Sequence, residues 1–319
     1  MSDRSSRELV GYAQRLLPYV VGWIMIVTAA PLTGLAITNG VAQILLFVPV
    51  VLIPAWRTER MSFVDIGWPL GLAVIGGIVL AFADGDPTRV TLVGVAYLFM
   101  GLRMGMMAIV MWRRGHIDVE LPRYAYQRRR WERAGITNTR LMGVVETSAQ
   151  GLANASVLGL PALVIAVNTD SGLSPLEWIG VVLWLGAFAF ETVADWQKRR
   201  FVADAARRGA TDSVCDVGLW RWSRHPNYFG EWMVWNALIV AAVPSWWALR
   251  DHANVVSWAL VGIGLLLVSR VMFVTLVHYT GAKPAEYYSV QKRPAYARYQ
   301  QTTSIFFPRP PKVPAGETH

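Results

Sequence analysis

The sequence has little cysteine and little charge, and both shortages restrict what the protein can be. Cys215 is the single cysteine among 319 residues, which excludes an internal disulfide and a cysteine-ligated metal cluster. Charged residues make up 16% of the chain, whereas about a quarter is usual in soluble domains. Because 54% of the residues are hydrophobic, the composition indicates one integral membrane bundle rather than two soluble domains.

Signature sequences of several enzyme classes are also absent. The chain contains no glycine-rich dinucleotide fingerprint following a strand, no Walker sequence and no Gly-x-Ser-x-Gly elbow. It lacks the His, Asp and Glu spacings typical of metal sites, so we expect no bound metal. Rossmann, P-loop and serine-hydrolase sites are therefore excluded, and any active site is expected inside the helical bundle.

Eight apolar segments approach or exceed the roughly 20 residues that a membrane-spanning helix needs. They lie near residues 16–36, 41–55, 63–82, 91–111, 141–167, 177–194, 228–248 and 255–277. The second segment is the shortest, which leaves open a re-entrant segment there. The first is too long for a signal-peptide core and follows a polar start, so we expect an uncleaved first span.

Arginines fall in short blocks between the apolar segments, as in membrane proteins whose basic connections stay in the cytoplasm. With the N-terminus inside, eight spans place the Arg-rich connections at 57–60, 112–140 and 196–227 on the cytoplasmic side. The net charge of +9 is then explained by the basic residues of the cytoplasmic connections. No nucleic-acid partner is expected. The predicted fold is an all-α polytopic transmembrane bundle of about eight spans around a seven-helix core, with both termini cytoplasmic.

The predicted organisation has three parts. Residues 1–60 form N-terminal transmembrane spans, residues 61–308 a membrane catalytic domain, and residues 309–319 a tail that starts extended and ends disordered. Within the long connection at 112–140, the stretch Tyr126–Arg133 predicts an amphipathic helix whose Arg face meets anionic lipid.

The most distinctive stretch runs from Arg221 to Glu231, where clustered polar side chains lead directly into an apolar segment. Pro226 disfavours helix at the preceding residue and suits a first helical turn, so a helix should begin near Asn227. Free N–H groups and the helix dipole favour an anion there, which indicates a phosphate-bearing ligand. The candidate side chains are Arg224, His225, Asn227, Tyr228 and Glu231. The alternative is a helix start whose polar side chains face lipid headgroups.

Polar and ionisable side chains within spans are costly to bury and mark a candidate site. They are Asp65, Arg103, Glu191, Asp195, Gln197, Arg270 and His278, with Arg114 on the same helix face as Arg103. Glu191 and Asp195 repel each other unless donors such as arginines, ribose hydroxyls or an adenine amine neutralise them. We expect these side chains to meet in the cytoplasmic half of the bundle around one large phosphorylated cofactor. The alternatives are an interfacial Asp65 and a structural salt bridge of Arg270 with Asp65 or Glu231.

Three stretches carry a family resemblance. They are Trp196-Gln197 following Glu191 and Asp195, the run Gly218–Glu231, and the run Tyr296–Pro308. They resemble bacterial membrane proteins related to the steroid 5-alpha-reductases, and the resemblance extends from about Ser62 to Pro308. A shorter Arg-His-Pro-x-Tyr-x-Gly version also occurs in isoprenylcysteine carboxyl methyltransferases.

The resemblance implies NADPH-dependent reduction of a carbon–carbon double bond conjugated to a ketone, in a steroid-like or other apolar lipid, at the bacterial inner membrane. It implies that Asn227 contacts the nicotinamide side of NADPH and that Glu191 and Asp195 hold the adenosine end. The predicted cofactor-binding set is Arg103, Arg114, Glu191, Asp195, Gln197, Arg224, His225, Asn227, Tyr228, Glu231, Arg270 and His278. Arginine suits the extra phosphate of NADPH because its planar fork matches phosphate oxygens.

The resemblance also implies a catalytic pair at the ketone. Asp65 falls where the family uses a glutamate, and the partner tyrosine is missing because its expected position falls at Phe99 or Met100. Tyr97 lies within a turn of both and is the predicted substitute. Hydride attack pushes charge onto the ketone oxygen, so a donor there, Tyr97 or protonated Asp65, lowers the barrier.

Two other functions remain open from the sequence. The shared Arg-His-Pro core supports an S-adenosylmethionine-dependent methyltransferase acting on a lipid-linked acceptor. A non-catalytic lipid-binding or scaffold bundle, in which the intramembrane charges pair with one another, is the second. The cluster of Glu191, Asp195 and Gln197 favours the reductase over the methyltransferase.

Overall fold

The computed structural model describes the backbone of residues 2–312 and the side chains of residues 8–312. In this part of the chain the regular elements are helices, and no strand is present. The all-α fold class predicted from the sequence is confirmed. Residues 313–319, which belong to the predicted tail, lie outside the described residues.

Thirteen α-helices make up most of the described chain. They are α1 (Ser2–Thr28), α2 (Thr33–Phe47), α3 (Ile53–Thr58), α4 (Val64–Phe82), α5 (Pro87–Arg113), α6 (Pro122–Arg133), α7 (Thr139–Ala155), α8 (Leu160–Ala166), α9 (Pro175–Arg207), α10 (Pro226–Ala248), α11 (Val255–Val274), α12 (Ala282–Lys292) and α13 (Tyr296–Thr302). Two π-helical segments, Val48–Leu52 and Thr275–Tyr279, follow α2 and α11.

Eight helical segments of the described chain are long and apolar enough to cross a membrane, which confirms the predicted number. They are Glu8–Thr28, Ala30–Thr58, Met61–Phe82, Pro87–Arg113, Thr139–Ala166, Pro175–Arg207, Pro226–Asp251 and Val255–Lys292. The chain is therefore a multi-pass membrane protein whose helices contact membrane lipids.

The boundary between the first two spans differs from the predicted 16–36 and 41–55. The first helix ends at Thr28, and a 3₁₀ turn at Ala30–Leu32 precedes α2. Pro31 lies in that turn, where its fixed φ and missing N–H end the preceding helix. Hydropathy did not locate the break because the residues on both sides are apolar. The second span is 29 residues long, which is enough to cross a membrane, and the re-entrant alternative stays a prediction.

The described chain divides into two compact units. Unit 1 contains the residues up to Trp178 together with Ile239–Val268, and unit 2 contains Ile179–Leu238 and the residues from Ser269 onward. The boundary predicted at residue 60 falls inside unit 1. The predicted boundary separates the N-terminal spans from the catalytic domain and does not coincide with a boundary between the compact units. It stays a prediction.

In unit 1 the helices α4 and α5 lie backbone to backbone. A Cβ added at Gly101 would lie 2.3 Å from the Ala73 nitrogen and 2.5 Å from the Pro69 oxygen, so only glycine fits there. A Cβ added at Gly76 would lie 2.5 Å from the Gly94 oxygen. Small residues allow such close approach between membrane helices. These contacts fix an antiparallel register that determines which side chains of the two helices can meet.

Buried polar side chains connect the helices of unit 1. The Gln43 amide donates to the Gly71 carbonyl at 3.0 Å, and the Asn154 amide donates to the Trp68 carbonyl at 2.9 Å. At the other end, Arg89 and Glu177 form a buried two-point ion pair at 2.6 and 3.1 Å. Because lipid offers no hydrogen bonds, such groups must be satisfied inside the protein, and each one specifies a helix contact.

In unit 2 an aromatic cluster joins the start of α10 to the end of the chain. Phe229 and Trp232 of α10 contact Phe306 and Phe307 with ring centroids 5.8–6.1 Å apart. Such edge-to-face pairs add to the energy of area burial. The first residues of the predicted tail are tied down, since the backbone N–H of Arg309 donates to the Trp222 carbonyl at 2.9 Å.

Candidate functional site

Helix α10 begins at Pro226, which confirms the helix start predicted near Asn227. The residues before it are held by Ser223, whose hydroxyl accepts from the His225 N–H at 3.1 Å and donates to the Phe306 carbonyl at 2.8 Å. The Arg224 N–H donates to the Ser304 carbonyl at 2.8 Å. The polar stretch is thus fastened to the C-terminal part of unit 2 before α10 starts.

Arg224 forms a buried two-point ion pair with Glu286 of α12. Its Nε and Nη2 atoms lie 2.7 and 3.0 Å from the two carboxylate oxygens. Its Nη1 donates to the backbone carbonyls of Gln300, at 2.9 Å, and Thr303. Four of the five guanidinium N–H groups are therefore committed within the protein. The predicted phosphate contact of Arg224 stays a prediction, and it has one N–H left to use.

His225 shares the same carboxylate. Its Nε2 lies 3.1 Å from Glu286 Oε1, and its ring stacks on Tyr228 with centroids 5.2 Å apart. Burial lowers the pKa of His225, and the contact with Glu286 offsets part of that effect. A carboxylate can only accept, so the neutral imidazole carries its proton on Nε2 and donates.

Glu286 is the hub of this network and was missed by the sequence analysis. It also accepts from the Gln300 side chain at 2.8 Å and is 6% exposed. Glu286 lies beyond the last predicted span, where a carboxylate looks like an ordinary surface residue. Its partners come from parts of the chain 14 to 62 residues away, which a local pattern does not reveal.

A second cluster lies where α9 and α10 touch. The Asn227 Nδ2 donates to Asp195 Oδ1 at 3.1 Å, and Glu191, one turn before Asp195, is buried. A Cβ added at Gly230 would lie 2.9 Å from the Glu191 nitrogen, so the two helices are in backbone contact at this level. The structure thus brings together the three residues that the resemblance assigns to opposite ends of the cofactor.

The Oδ1 atom of Asn227 is buried and has no hydrogen-bond donor among the described residues. An unsatisfied buried acceptor is costly, and a native structure that keeps one needs a reason for it. Since the Asn227 amide nitrogen is fixed by Asp195, the carbonyl has a set direction. The arrangement can accept a hydrogen bond from a ligand amide or hydroxyl.

Gln197 shapes the turn that leads into the polar stretch. Its Oε1 accepts from the Leu219 N–H at 2.9 Å, and Gly218 lies directly over its amide with a positive φ of 56°. A Cβ at Gly218 would meet the Gln197 amide at 2.6 Å, so glycine is required. Next to it, the Trp220 indole donates to the Ala194 carbonyl at 2.9 Å. Gln197 therefore positions the motif, and a direct cofactor contact by it stays a prediction.

Arg270 and His278 are exposed in unit 2. Arg270 lies in the last part of α11, and His278 lies in the π-helical segment that follows it. The salt bridge of Arg270 with Asp65 or Glu231, considered as an alternative, stays a prediction. Both side chains remain accessible to a ligand, together with Tyr228 and Glu231 at the start of α10, which are half-buried.

In unit 1, Asp65 has two partners that lie next to each other in α6. The hydroxyl of Tyr124 donates to Asp65 Oδ1, and Arg123 Nη2 donates to Asp65 Oδ2. Tyr124 is 3% exposed. Burial and the neighbouring Asp65 carboxylate both raise the pKa of Tyr124, so it keeps its proton and remains a donor.

The structure gives the Tyr97 hydroxyl a hydrogen-bond partner of its own, and the predicted catalytic pair of Asp65 and Tyr97 stays a prediction. The Tyr97 hydroxyl donates to the Leu158 carbonyl at 2.7 Å, and its side chain is fully buried. The contact between Gly76 and Gly94 places Tyr97 about ten residues along the helix pair from Asp65. At 1.5 Å per residue this is roughly 15 Å along the axis, too far for both to reach one ketone.

The helix that carries Tyr124 was predicted as Tyr126–Arg133 and extends over Pro122–Arg133. Its helical structure is confirmed, while the contact of its Arg face with anionic lipid stays a prediction. Tyr124, Gln127 and Trp131 are buried on one face of it. Their i, i+3, i+7 spacing is the signal that could have revealed a face turned into the protein.

Arg103 and Arg114 belong to unit 1, whereas Glu191, Asp195 and Asn227 belong to unit 2. Arg103 is half-buried in α5, and Arg114 is the exposed residue that caps the end of that helix. The expectation that these arginines share one cofactor with the cluster in unit 2 stays a prediction.

Comparison with known proteins gives a family and one distant relative. Residues 51–303 match the model of the DUF1295 family, whose description reads 'Protein of unknown function'. An uncharacterized protein of Schizosaccharomyces pombe is 26% identical over 166 residues, which cover 46% of this chain and 43% of that protein. The matching region is thus less than half of the relative's length. No solved structure matches the chain. Since the family model spans most of the sequence, the chain belongs to the DUF1295 family.

Proposed function

We propose that this protein reduces a carbon–carbon double bond conjugated to a ketone in an apolar molecule, with NADPH as the cofactor. The observation that carries the proposal is the pair Asn227–Asp195, which leaves a buried and unsatisfied carbonyl at Asn227 Oδ1. The nicotinamide ring bears a carboxamide whose N–H groups are suitable donors to that carbonyl. The resemblance of the chain to steroid 5-alpha-reductase relatives independently assigns Asn227 to the nicotinamide side.

The residues of unit 2 fit this cofactor in part. Asn227 offers the oriented acceptor just described. Because Asp195 lies 3.1 Å from Asn227, its carboxylate suits the hydroxyls of the ribose nearest the nicotinamide rather than the adenine amine. Arg224 and Gln197 fit less well because their polar atoms serve Glu286 and Leu219. For the additional phosphate, the proposal relies on Arg270, an exposed arginine of unit 2. When bound, NADPH supplies a hydride to the substrate.

Tyr124 replaces Tyr97 as the proposed donor to the ketone oxygen. Its single hydroxyl proton is donated to Asp65, so donation to the ketone requires that proton to turn from the carboxylate to the substrate, while Arg123 remains the partner of Asp65. Because its pKa is raised, Tyr124 keeps this proton at neutral pH. A donor at the ketone oxygen stabilises the negative charge that builds there during reduction.

The methyltransferase alternative loses its main support. It depended on the Arg-His-Pro core, and in this chain Arg224 and His225 of that core bind Glu286. The core therefore has a structural use that requires neither S-adenosylmethionine nor NADPH.

The proposal is tested by ligand-induced stabilisation of the purified protein in detergent. NADPH should raise the Tm because a ligand that binds only the folded state stabilises it, and S-adenosylmethionine should not. The variant Asn227→Ala should lose the shift. The matched control is Asn236→Ala on the same helix, since that side chain binds only the Trp232 carbonyl of its own helix. A folded wild-type protein that responds to S-adenosylmethionine and not to NADPH would overturn the proposal.

A further inference from the structure

The second span of unit 1 contains a π-helical segment, Val48–Leu52, and a groove lies beside it. The groove has a volume of about 410 Å³ and is lined by Leu52, Ile53, Trp56, Arg57 and Val144. π-Helical turns widen a helix locally and often occur at functional positions. Here the widened turn precedes α3, and Val144 of α7 forms the opposite wall.

The lining is apolar except for Arg57. Ile53 and Trp56 are 42% and 48% exposed, which in a membrane-spanning segment means that they face lipid. A substrate pocket normally adds several converging polar groups that orient its ligand, and this groove has none besides the arginine. The groove therefore suits a flexible hydrocarbon chain rather than a molecule that must be held in one orientation.

Arg57 supplies a charge at one end of the groove. It lies in the last turn of α3, is exposed, and has no ion pair with any described residue. The neighbouring Arg140 is already used, because it pairs with Glu59 and lies over the Trp56 ring. An uncommitted guanidinium beside an apolar groove matches the phosphate and acyl chain of one phospholipid.

We infer that this groove binds an anionic phospholipid, with an acyl chain along Leu52, Ile53 and Val144 and the headgroup phosphate at Arg57. Arginine favours this ligand because its fork can hold two phosphate oxygens at once. The Trp56 indole lines the groove next to Arg57 in sequence, and aromatic side chains are favoured where acyl chains meet headgroups. The site belongs entirely to unit 1 and does not depend on the proposed reductase activity.

Native mass spectrometry of the full-length protein tests the inference by titration with phosphatidylglycerol and phosphatidylcholine of identical acyl chains. The wild-type protein should bind phosphatidylglycerol more tightly. The variant Arg57→Ala should weaken phosphatidylglycerol binding about fivefold, the contribution of one arginine near an anionic surface, and leave phosphatidylcholine unchanged. Soluble glycerol phosphate should not compete, because it lacks the chain.

Two further variants separate the groove from general electrostatic attraction. Arg113→Ala removes an exposed arginine at the end of α5 that does not line the groove, and it should bind both lipids like the wild type. Ile53→Trp fills the groove from its exposed rim and should weaken both lipids. Equal losses for Arg57→Ala and Arg113→Ala, or unchanged binding in both Arg57→Ala and Ile53→Trp, would overturn the inference.

Discussion

The hydroxyl of Tyr124 donates to the carboxylate of Asp65, although 58 residues separate the two in sequence. Arg123 holds the other oxygen of the same carboxylate. This three-residue arrangement joins the first turn of α6 to the first turn of α4. A connection that was predicted to meet the lipid surface therefore contributes a tyrosine that contacts the candidate site residue Asp65.

Replacing Tyr124 by phenylalanine should separate catalysis from packing. Loss of an oxyanion donor lowers turnover by about 10²–10³-fold, so Tyr124→Phe should reduce kcat by this factor with little change in KM. The measurement is NADPH oxidation in the presence of an apolar enone. Tyr97→Phe is the control: it should cost about 1 kcal/mol of stability through its lost hydrogen bond to Leu158 and leave turnover intact. If Tyr97→Phe lost turnover and Tyr124→Phe kept it, Tyr97 rather than Tyr124 would be the donor to the ketone.

The network around Glu286 should be essential for stability. Removing one partner of a buried ion pair leaves an uncompensated charge, so Glu286→Ala should lower the free energy of unfolding by about 3–5 kcal/mol. The double variant Arg224→Met with Glu286→Leu should recover part of this loss, since no buried charge remains. Both are measured by thermal unfolding in detergent.

An exposed ion pair provides the comparison for that experiment. Arg207 and Asp204 pair at the end of α9 with side chains 75% and 38% exposed. Asp204→Ala should therefore change stability by less than about 1 kcal/mol. If Glu286→Ala costs no more than Asp204→Ala, the network does not hold unit 2 together.

Acidification should destabilise the protein through His225. Burial lowers its pKa in the folded state, whereas the unfolded chain binds a proton near the ordinary value of about 6.5. Below that pH the unfolded state binds more protons than the folded state, so stability falls as pH decreases toward the lowered pKa. The Tm of the wild type should drop more steeply between about pH 7.5 and about pH 5.5 than the Tm of His225→Gln.

The exposed His252 serves as the control for pH dependence. His252→Gln should keep the full slope of the wild type. A slope that is the same in wild type and His225→Gln would show that the imidazole is not the group responsible.

The features that the sequence predicted correctly are those encoded locally. The number of spans follows from runs of apolar residues, and the start of α10 follows from Pro226. In each case, neighbouring residues or a known motif contain the necessary information.

The features that were missed depend on pairings between distant segments. Glu286 and Tyr124 are ordinary residues in short helices outside the most apolar runs, and only packing shows that they bind Arg224 and Asp65. Tyr97 was chosen because it lies near the expected position in sequence, whereas the register of α4 and α5 puts it about ten residues from Asp65 along the helices. Sequence spacing within one helix does not determine the register between two.

The predicted orientation can be tested with single cysteines, because Cys215 is poorly reactive. It is 2% exposed, and burial raises the pKa of its thiol, which keeps it protonated and slow to react. In a Cys215→Ser background, Ser171→Cys and Asp212→Cys place exposed thiols in the connections before and after α9. A membrane-impermeant maleimide added to intact cells should label Ser171→Cys and not Asp212→Cys, since the Arg-rich connection stays in the cytoplasm. Both should react after the membrane is opened. Labelling of Asp212→Cys in intact cells would invert the topology and place both termini on the outside.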